Sequence, residues 1–85
     1  MYYVYTLRSK KDSNLYTGHT KDLARRLADH NNGKVLSTRH RRPFEVIHSE
    51  EFQTQSEARW RERFLKTAWG KKQLKERLKE IFIPL

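Results

Sequence analysis

The hydrophobic pattern at the start of the chain predicts a β-hairpin. Residues 2–7 are aromatic, β-branched or aliphatic and contain no breaker, which is typical of a strand. The segment KKDSN at 10–14 supplies turn-forming residues, and a second short run follows at 15–18. Strand side chains alternate between two faces. One face is expected to hold Tyr3, Tyr5 and Leu7, and the other Tyr2, Val4 and Thr6.

The next segment has the pattern of a helix. Thr20 is the expected N-cap, and Asp22 lies in the first turn, where a carboxylate favours the helix dipole. The helix is expected to run to about Asn31, before Gly33 ends it. A basic loop at 34–42 and Pro43 then lead into a strand predicted at 44–48.

Two further helices are predicted in the last third of the chain. Residues 54–57 (TQSE) have the spacing of a capping box, so a helix is expected from there to about Trp69, with a break at Gly70. After this break, apolar residues recur at helical spacing, which predicts an amphipathic helix that ends before Pro84. These residues are Leu74, Leu78, Ile81 and Phe82.

The predicted order of elements is therefore ββαβαα. It corresponds to a small α+β (α/β) fold in which one compact layer of helices packs on a small sheet. The pattern shows no internal repeat and no linker. At 85 residues the chain has room for one modest core, so residues 1–85 are expected to form a single domain.

Charge and composition narrow the possible partners. The chain has 19 Lys and Arg against 10 Asp and Glu, a formal net charge of +9, spread along the whole sequence. Such a surface favours a polyanion as partner, although basic surfaces also serve solubility alone. No cysteine is present, so a metal would need oxygen or nitrogen ligands. The start lacks a signal-peptide pattern and no stretch approaches the roughly 20 apolar residues of a membrane span, so a cytoplasmic location is expected.

Arg26 is the first candidate for a functional residue. On a helical wheel Leu23, Arg26, Leu27 and His30 fall on one arc, and Arg25 points roughly the opposite way. Arg26 is therefore expected to face inward. A guanidinium does not lose its proton, so an inward arginine implies either an internal carboxylate or an anion that arrives from outside. The pattern alone leaves both open.

Glu62 is expected on the shoulder of the second helix, beside an apolar arc formed by Trp60, Phe64 and Ala68. Taken alone, a helical glutamate more often belongs to a solvated face or a surface ion pair. The hairpin adds Tyr5 and Tyr16, whose phenols could face one another. Strand tyrosines often serve packing only, and Gly18 could simply form the turn into the helix.

Together these features resemble the GIY-YIG endonuclease superfamily, in particular its small standalone bacterial members. The residues that carry the resemblance are Tyr3-Val4-Tyr5, Tyr16-Thr17-Gly18, the run from Thr20 through Arg26 to His30-Asn31, and Ala58 through Glu62 to Lys66. It extends over essentially the whole chain in the right order. What it implies is a three-stranded sheet with both tyrosine motifs in strands and the arginine and glutamate on one shallow surface.

The resemblance also implies roles. Carried over by position, Tyr5 and Tyr16 are the two motif phenols, Arg26 is the catalytic arginine, and Glu62 is the metal ligand. His30, one turn beyond Arg26, would bond the scissile phosphate or assist proton transfer. One carboxylate implies one ion, Mg²⁺ or Mn²⁺, with water and substrate completing its coordination. Either tyrosine could activate the attacking water.

The sequence departs from the family pattern at packing positions. Tyr3 stands where the first motif has glycine, and Thr17 where the second has isoleucine, with His19 following. Neither change removes a chemical group. The glycine replacement could still alter how the strand approaches the sheet and the substrate.

Contact with substrate phosphates is expected from two basic groups. The first group is the loop residues Lys34, Arg39, His40, Arg41 and Arg42, and the second is Lys71, Lys72 and Lys75 of the last helix. Each lysine could instead be solvated charge without a partner.

The sequence thus predicts a metal-dependent endonuclease for DNA, structure-selective or weakly selective and used in repair or recombination as the family implies. The alternative is a non-catalytic nucleic-acid-binding module with the same fold. A basic protein-interaction or ribosome-associated factor would explain the charge but not the inward Arg26. Duplex, single-stranded, branched DNA and RNA all remain open as substrates, and the oligomeric state is open with a monomer as the default.

Overall fold

A computed structural model describes residues 1–81 as three antiparallel strands and three α-helices. The strands are β1 (Tyr2–Ser9), β2 (Leu15–Thr20) and β3 (Phe44–Phe52), and the helices are α1 (Leu23–Asn31), α2 (Gln55–Leu65) and α3 (Ala68–Ile81). One sheet has the order β2-β1-β3, with β1 in the centre. The predicted fold class and the order ββαβαα are confirmed. The predicted end of the last helix before Pro84 lies outside the described residues.

The strand register brings both tyrosine motifs to one face of the sheet. Tyr5 pairs with Gly18, and Leu7 pairs with Tyr16. Directly opposed residues of an antiparallel pair point to the same side. The phenol of Tyr5 fills the space beside Gly18, where a Cβ would lie 2.6 Å from the Tyr5 hydroxyl oxygen. Gly18 therefore makes room for Tyr5 and does not form a turn, since it lies inside β2.

Each face of the sheet carries its own apolar core. On the face of Tyr5, Leu7 and Phe44, helix α1 packs through Leu23 and Leu27. On the opposite face, helices α2 and α3 pack against β1 through a second cluster. Its buried members are Val4, Ala58, Leu65, Leu74 and Leu78. The central strand is thus covered on both sides, as the alternation of its side chains predicts.

The start of α1 differs from the prediction. Asp22, and not Thr20, is the N-cap: it has extended backbone angles and its side chain accepts a hydrogen bond from the amide of Arg25. Thr20 instead ends β2, and its hydroxyl oxygen accepts from the amide of Asp22 at 3.2 Å. Both residue types favour N-caps, and the two extra residues of pairing with β1 give the position to Asp22.

The corner between α2 and α3 also corrects the sequence prediction. Helix α2 ends at Leu65 and not near Trp69, and Gly70 lies inside the first turn of α3. The reason is Thr67, whose hydroxyl accepts from the amide of Gly70 at 3.0 Å and so begins a new helix. The strand predicted at 44–48 is likewise longer, because β3 pairs with β1 as far as Phe52.

Trp60 was expected on the apolar arc of α2, and this is wrong. Its side chain is 72% exposed, whereas Ala58 and Leu65 are buried. Trp60 lies two positions after Ala58, about 200° around the helix. The face that packs on the sheet is therefore centred on Ala58 and Leu65, and Trp60 points to solvent.

Gly70 is required by close packing at this corner. A Cβ at this position would lie 1.9 Å from the carbonyl oxygen of Phe64 and 2.8 Å from Cα of Leu65, and backbone atoms cannot move aside cheaply. We expect Gly70→Ala to lower the free energy of unfolding by about 1–3 kcal/mol, measured by urea denaturation. Lys71→Ala, an exposed change one residue later, is the control. Equal stability of the two variants would contradict the packing argument.

Candidate active site

A chain of hydrogen bonds lies under α1, on the tyrosine face of the sheet. The Tyr5 hydroxyl is 3.0 Å from Nε2 of His30, and Nδ1 of His30 is 2.8 Å from Oγ1 of Thr38. Arg26 donates from Nε to the Tyr5 oxygen at 3.4 Å. Tyr5, His30 and Thr38 are buried. These contacts join β1, α1 and the loop before β3 into one polar network inside the apolar layer.

Burial decides the protonation of this network. Burial raises the pKa of Tyr5, although the hydrogen bond from Arg26 acts in the opposite direction. Burial and, secondarily, the charge of Arg26 lower the pKa of His30. Tyr5 is therefore a neutral phenol and His30 a neutral imidazole near pH 7.

His30 has no nitrogen left for substrate in this arrangement. Its side chain is fully buried, and both ring nitrogens have protein partners, Tyr5 and Thr38. Direct bonding of a phosphate by His30, one of the two roles that the family resemblance allowed, would require both the ring and its surroundings to move. The geometry favours a role in positioning.

Arg26 is half-buried at the edge of this network, as its place on the helical wheel predicts. It has an internal partner after all, but this partner is the Tyr5 hydroxyl and not a carboxylate. The hydrogen bond to Tyr5 raises the pKa of Arg26 further. Because Nε is used for Tyr5, the two terminal nitrogens remain directed away from that bond, and their planar fork suits two phosphate oxygens.

Tyr16 is the more accessible of the two motif tyrosines. It is half-buried, whereas Tyr5 is 1% exposed. The two ring centroids are 6.4 Å apart, and the His30 ring meets Tyr16 edge-on at 5.0 Å. The Nζ atom of Lys66 lies 5.7 Å from the centre of the Tyr16 ring. Tyr16 thus connects the buried network to the surface.

Glu62 reaches this surface from the other side of the sheet. Lys66 donates to one carboxylate oxygen at 2.8 Å, and Nδ1 of His19 forms a short hydrogen bond with the other. Burial alone would raise the pKa of Glu62, but the hydrogen bonds and charges of Lys66 and His19 outweigh it and hold the pKa below its ordinary value. Since Lys66 also contacts Tyr16, the carboxylate stands beside the tyrosine.

Glu62 suits a metal ion that keeps most of its coordination for water and substrate. Its carboxylate is ionised near pH 7 and only half-buried, and oxygen ligands are what Mg²⁺ and Mn²⁺ prefer. Among the described residues, no three His, Asp or Glu side chains come together as a ready-made metal site. The donor set therefore fits one loosely held ion, with Glu62 as its protein ligand.

The basic loop is anchored to the hairpin turn. Ser9 donates from its hydroxyl to the carbonyl of Arg41 at 2.6 Å, and the amide of Lys10 donates to the carbonyl of Pro43 at 2.8 Å. Arg41 itself forms an ion pair with Asp12 at 3.0 Å. Arg41 thus anchors the loop to the hairpin turn, whereas Arg42 donates from Nε to the carbonyl of Arg39 at 2.8 Å, within the loop itself.

The other predicted phosphate contacts are exposed. In the loop these are Lys34, Arg39, His40 and Arg42, and on α3 they are Lys71, Lys72 and Lys75. Lys71 and Lys75 line a cleft of about 490 Å³ that also includes Tyr16 and Lys66. Lys71 and Lys75 therefore border the candidate site, whereas Lys72 does not line this cleft, and the loop group flanks Thr38 along the chain.

Sequence reasoning missed two members of the site. Thr38 gave no signal, because its partner His30 is reached only once the loop has folded. His19 was noted as a departure from the motif, but its contact with Glu62 was not predicted. Strand periodicity places His19 on the same face as Val4, which α2 covers, so this contact could have been found with the helix order in hand.

Comparison with known proteins agrees with this fold. The family model described as GIY-YIG catalytic domain matches residues 1–78. The chain therefore belongs to the GIY-YIG family, a superfamily of nucleases. None of the helices in the described part of the chain is long and apolar enough to cross a membrane.

Within this family the relatives are UPF0213 proteins. One from Staphylococcus saprophyticus is 43% identical over 87% of this chain and 90% of the relative. Another, from Natronomonas pharaonis, is 44% identical over 91% of this chain and 88% of the relative. The solution NMR structure of a UPF0213 protein from Bacillus halodurans is 38% identical, with a TM-score of 0.55, covering 89% of this chain and 84% of that one.

Proposed function

We propose that this protein is a divalent-metal-dependent endonuclease that hydrolyses phosphodiester bonds in DNA. The observation that carries the proposal is a series of contacts from Arg26 to Glu62: Arg26 donates to Tyr5, whose ring lies 6.4 Å from that of Tyr16, and Lys66 contacts both Tyr16 and Glu62. A positive fork, a partly exposed phenol and an ionised carboxylate match the requirements of phosphodiester hydrolysis. Membership of a nuclease superfamily supports the same reaction class.

Each side chain has a distinct task in this proposal. Arg26 stabilises the charge that develops on the non-bridging phosphate oxygens, because its fork is fixed through Nε. Tyr16 orients the attacking water, since it is half-buried whereas Tyr5 is buried. Tyr5 and His30 hold Arg26 in place. Glu62 would hold one Mg²⁺ or Mn²⁺, which supplies Lewis-acid stabilisation of the phosphate when bound.

Lys66 and His19 each contact one oxygen of the Glu62 carboxylate, which keeps it from being an uncompensated charge. Lys66 is exposed, and a lysine ammonium is carried on a flexible four-carbon stem, so it can release Glu62 and pair with a phosphate oxygen instead. Glu62 would then offer an oxygen to the ion.

The proposal is tested by cleavage assays on purified protein. Labelled supercoiled plasmid, duplex, single strand, flap and branched junction are incubated with Mg²⁺ or Mn²⁺, and a chelator is the control. Metal-dependent cutting is expected. The relative cleavage rates on the panel would show whether the protein is selective for particular DNA structures, as a repair or recombination enzyme would be. Binding without cutting on every substrate would support a non-catalytic nucleic-acid-binding module with this fold.

The exposed loop arginines are expected to govern salt dependence. Replacing Arg39 and Arg42 by alanine should weaken DNA binding and reduce the slope of log affinity against log salt by about 2, because each phosphate contact releases counterions. Fluorescence anisotropy at several salt concentrations measures this slope. A double change of Arg59 and Arg77, both exposed and outside the loop, removes the same charge as a control. Equal slopes in the two variants would exclude the loop from the substrate path.

A further inference from the structure

The buried network continues past His30 to a residue outside the family motifs. Oγ1 of Thr38 is 2.8 Å from Nδ1 of His30 and 3.5 Å from the carbonyl oxygen of Val35. Thr38 is completely buried although it lies in the basic loop. A threonine hydroxyl both donates and accepts; when it donates to the Val35 carbonyl, its oxygen can bond only a protonated Nδ1 of His30.

The direction of the hydrogen bonds follows from Arg26, which is only a donor. Because Arg26 donates from Nε to the Tyr5 oxygen, the hydroxyl hydrogen of Tyr5 is free to point at Nε2 of His30. That nitrogen must then be unprotonated. A neutral His30 carries its hydrogen on Nδ1 and donates it to Thr38, whose own hydrogen points to the Val35 carbonyl.

The opposite direction of these hydrogen bonds is disfavoured at the Tyr5 hydroxyl. If Thr38 donated to Nδ1, then Nε2 of His30 would carry the hydrogen and donate to the Tyr5 oxygen, which would also receive Arg26. The hydroxyl hydrogen of Tyr5 would then have no acceptor among the described hydrogen bonds. Leaving a buried donor without an acceptor is costly, so the first direction is preferred.

We propose that Thr38 is a positioning residue: it selects the Nδ1-protonated form of His30 and, through Tyr5, orients Arg26. The consequence for cleavage rests on the proposed nuclease function, whereas the effect on His30 and Arg26 does not. Thr38 touches no substrate in this arrangement. It acts by accepting from Nδ1 of His30, which leaves Nε2 to accept the Tyr5 hydroxyl hydrogen and the Tyr5 oxygen to accept from Arg26 alone.

Nuclear magnetic resonance measures the protonation of His30 and the hydrogen exchange of Arg26 without an activity assay. Long-range ¹⁵N–¹H correlation spectra of the full chain distinguish the two neutral forms of His30, assigned by loss of the signals in His30→Asn. The expected result is that Nδ1 of His30 is protonated and Nε2 is not. A protonated Nε2 in the unaltered protein would overturn the proposal, even before any change at Thr38.

Substitutions of Thr38 test the effect on Arg26. Thr38→Val removes the hydroxyl at nearly constant shape, and Thr38→Ser retains it. In the valine variant we expect loss of the Nδ1 preference and hydrogen exchange at Arg26 Nε faster by about tenfold, the factor that corresponds to one buried hydrogen bond. Serine should restore both. Thr6→Val, which removes a buried hydroxyl paired with Thr17 on the opposite sheet face, is the matched control.

Cleavage kinetics extend the test to function. Thr38→Val should lower kcat by about tenfold with little change in KM, because it alters the orientation of Arg26 and not the basic surface. Unchanged exchange at Arg26 in Thr38→Val, or the same change in Thr6→Val, would overturn the proposal. If the unaltered protein cuts no substrate, the proposed function fails, but the two resonance measurements still decide the role of Thr38.

Discussion

Arg26→Ala is expected to lower the rate of DNA cleavage by about a thousandfold, the loss found when one main stabiliser of developing charge is removed. The guanidinium is fixed through Nε to Tyr5, and this bond does not use its two terminal nitrogens. It provides little uniform binding, because many other basic residues surround the site. The effect should therefore appear in kcat and not in DNA affinity. Single-turnover cleavage and anisotropy separate the two quantities.

Two further variants separate the contribution of the planar guanidinium from that of positive charge alone. Arg26→Lys retains the charge but loses the planar fork and the Nε donor, so it should restore only a small part of the rate. Arg25→Ala removes an exposed arginine from the opposite side of α1 and should cleave normally. Arg26→Ala cleaving within about tenfold of the unaltered protein would remove the arginine from the mechanism.

Glu62→Gln is expected to abolish metal-dependent cleavage. The neutral amide nearly preserves the size of the side chain, but it loses the negative charge that an Mg²⁺ ligand needs. Titration of Mn²⁺ followed by electron paramagnetic resonance should show the loss of binding directly. Glu76→Gln, an exposed change on α3, is the control for altered net charge. Normal Mn²⁺ affinity in Glu62→Gln would show that the metal is held elsewhere.

The same carboxylate links metal binding to acid stability. Because the folded pKa of Glu62 lies below its ordinary value, the ionised form stabilises the fold at neutral pH. This contribution is lost as the pH falls through the folded pKa. Glu62→Gln should therefore reduce stability at neutral pH and make this part of the acid dependence disappear. Urea denaturation at several pH values checks the expectation.

The sequence predicted those features that depend on periodicity. Alternation in β1 placed Tyr5 and Leu7 on one face, and the helical wheel turned Arg26 inward. The sequence prediction failed where two local signals competed for the same role. Thr20 and Asp22 are both good N-caps, and only the length of β1–β2 pairing selects between them. Between α2 and α3, the cap at Thr67 begins the new helix before Gly70, the residue at which the sequence predicted a break.

The polar contacts of the site depended on tertiary structure. The hydrogen bond between His30 and Thr38 joins residues whose loop has no regular pattern, so no spacing rule connects them. Arg41 looked equivalent to Arg39 and Arg42 in sequence, yet its ion pair with Asp12 depends on the approach of the hairpin turn. Charge composition shows how many basic residues exist, but not which ones the fold uses internally.

The two-sided packing of β1 gives the proposed active site an unusual relation to folding. Arg26 belongs to the layer that covers one side of the sheet, and Glu62 to the layer that covers the other. A chain with only one layer docked would lack either Arg26 or Glu62 at the proposed site. Under the proposed function, recovery of cleavage during refolding should follow the slower of the two docking events, which would make cleavage a measure of complete assembly.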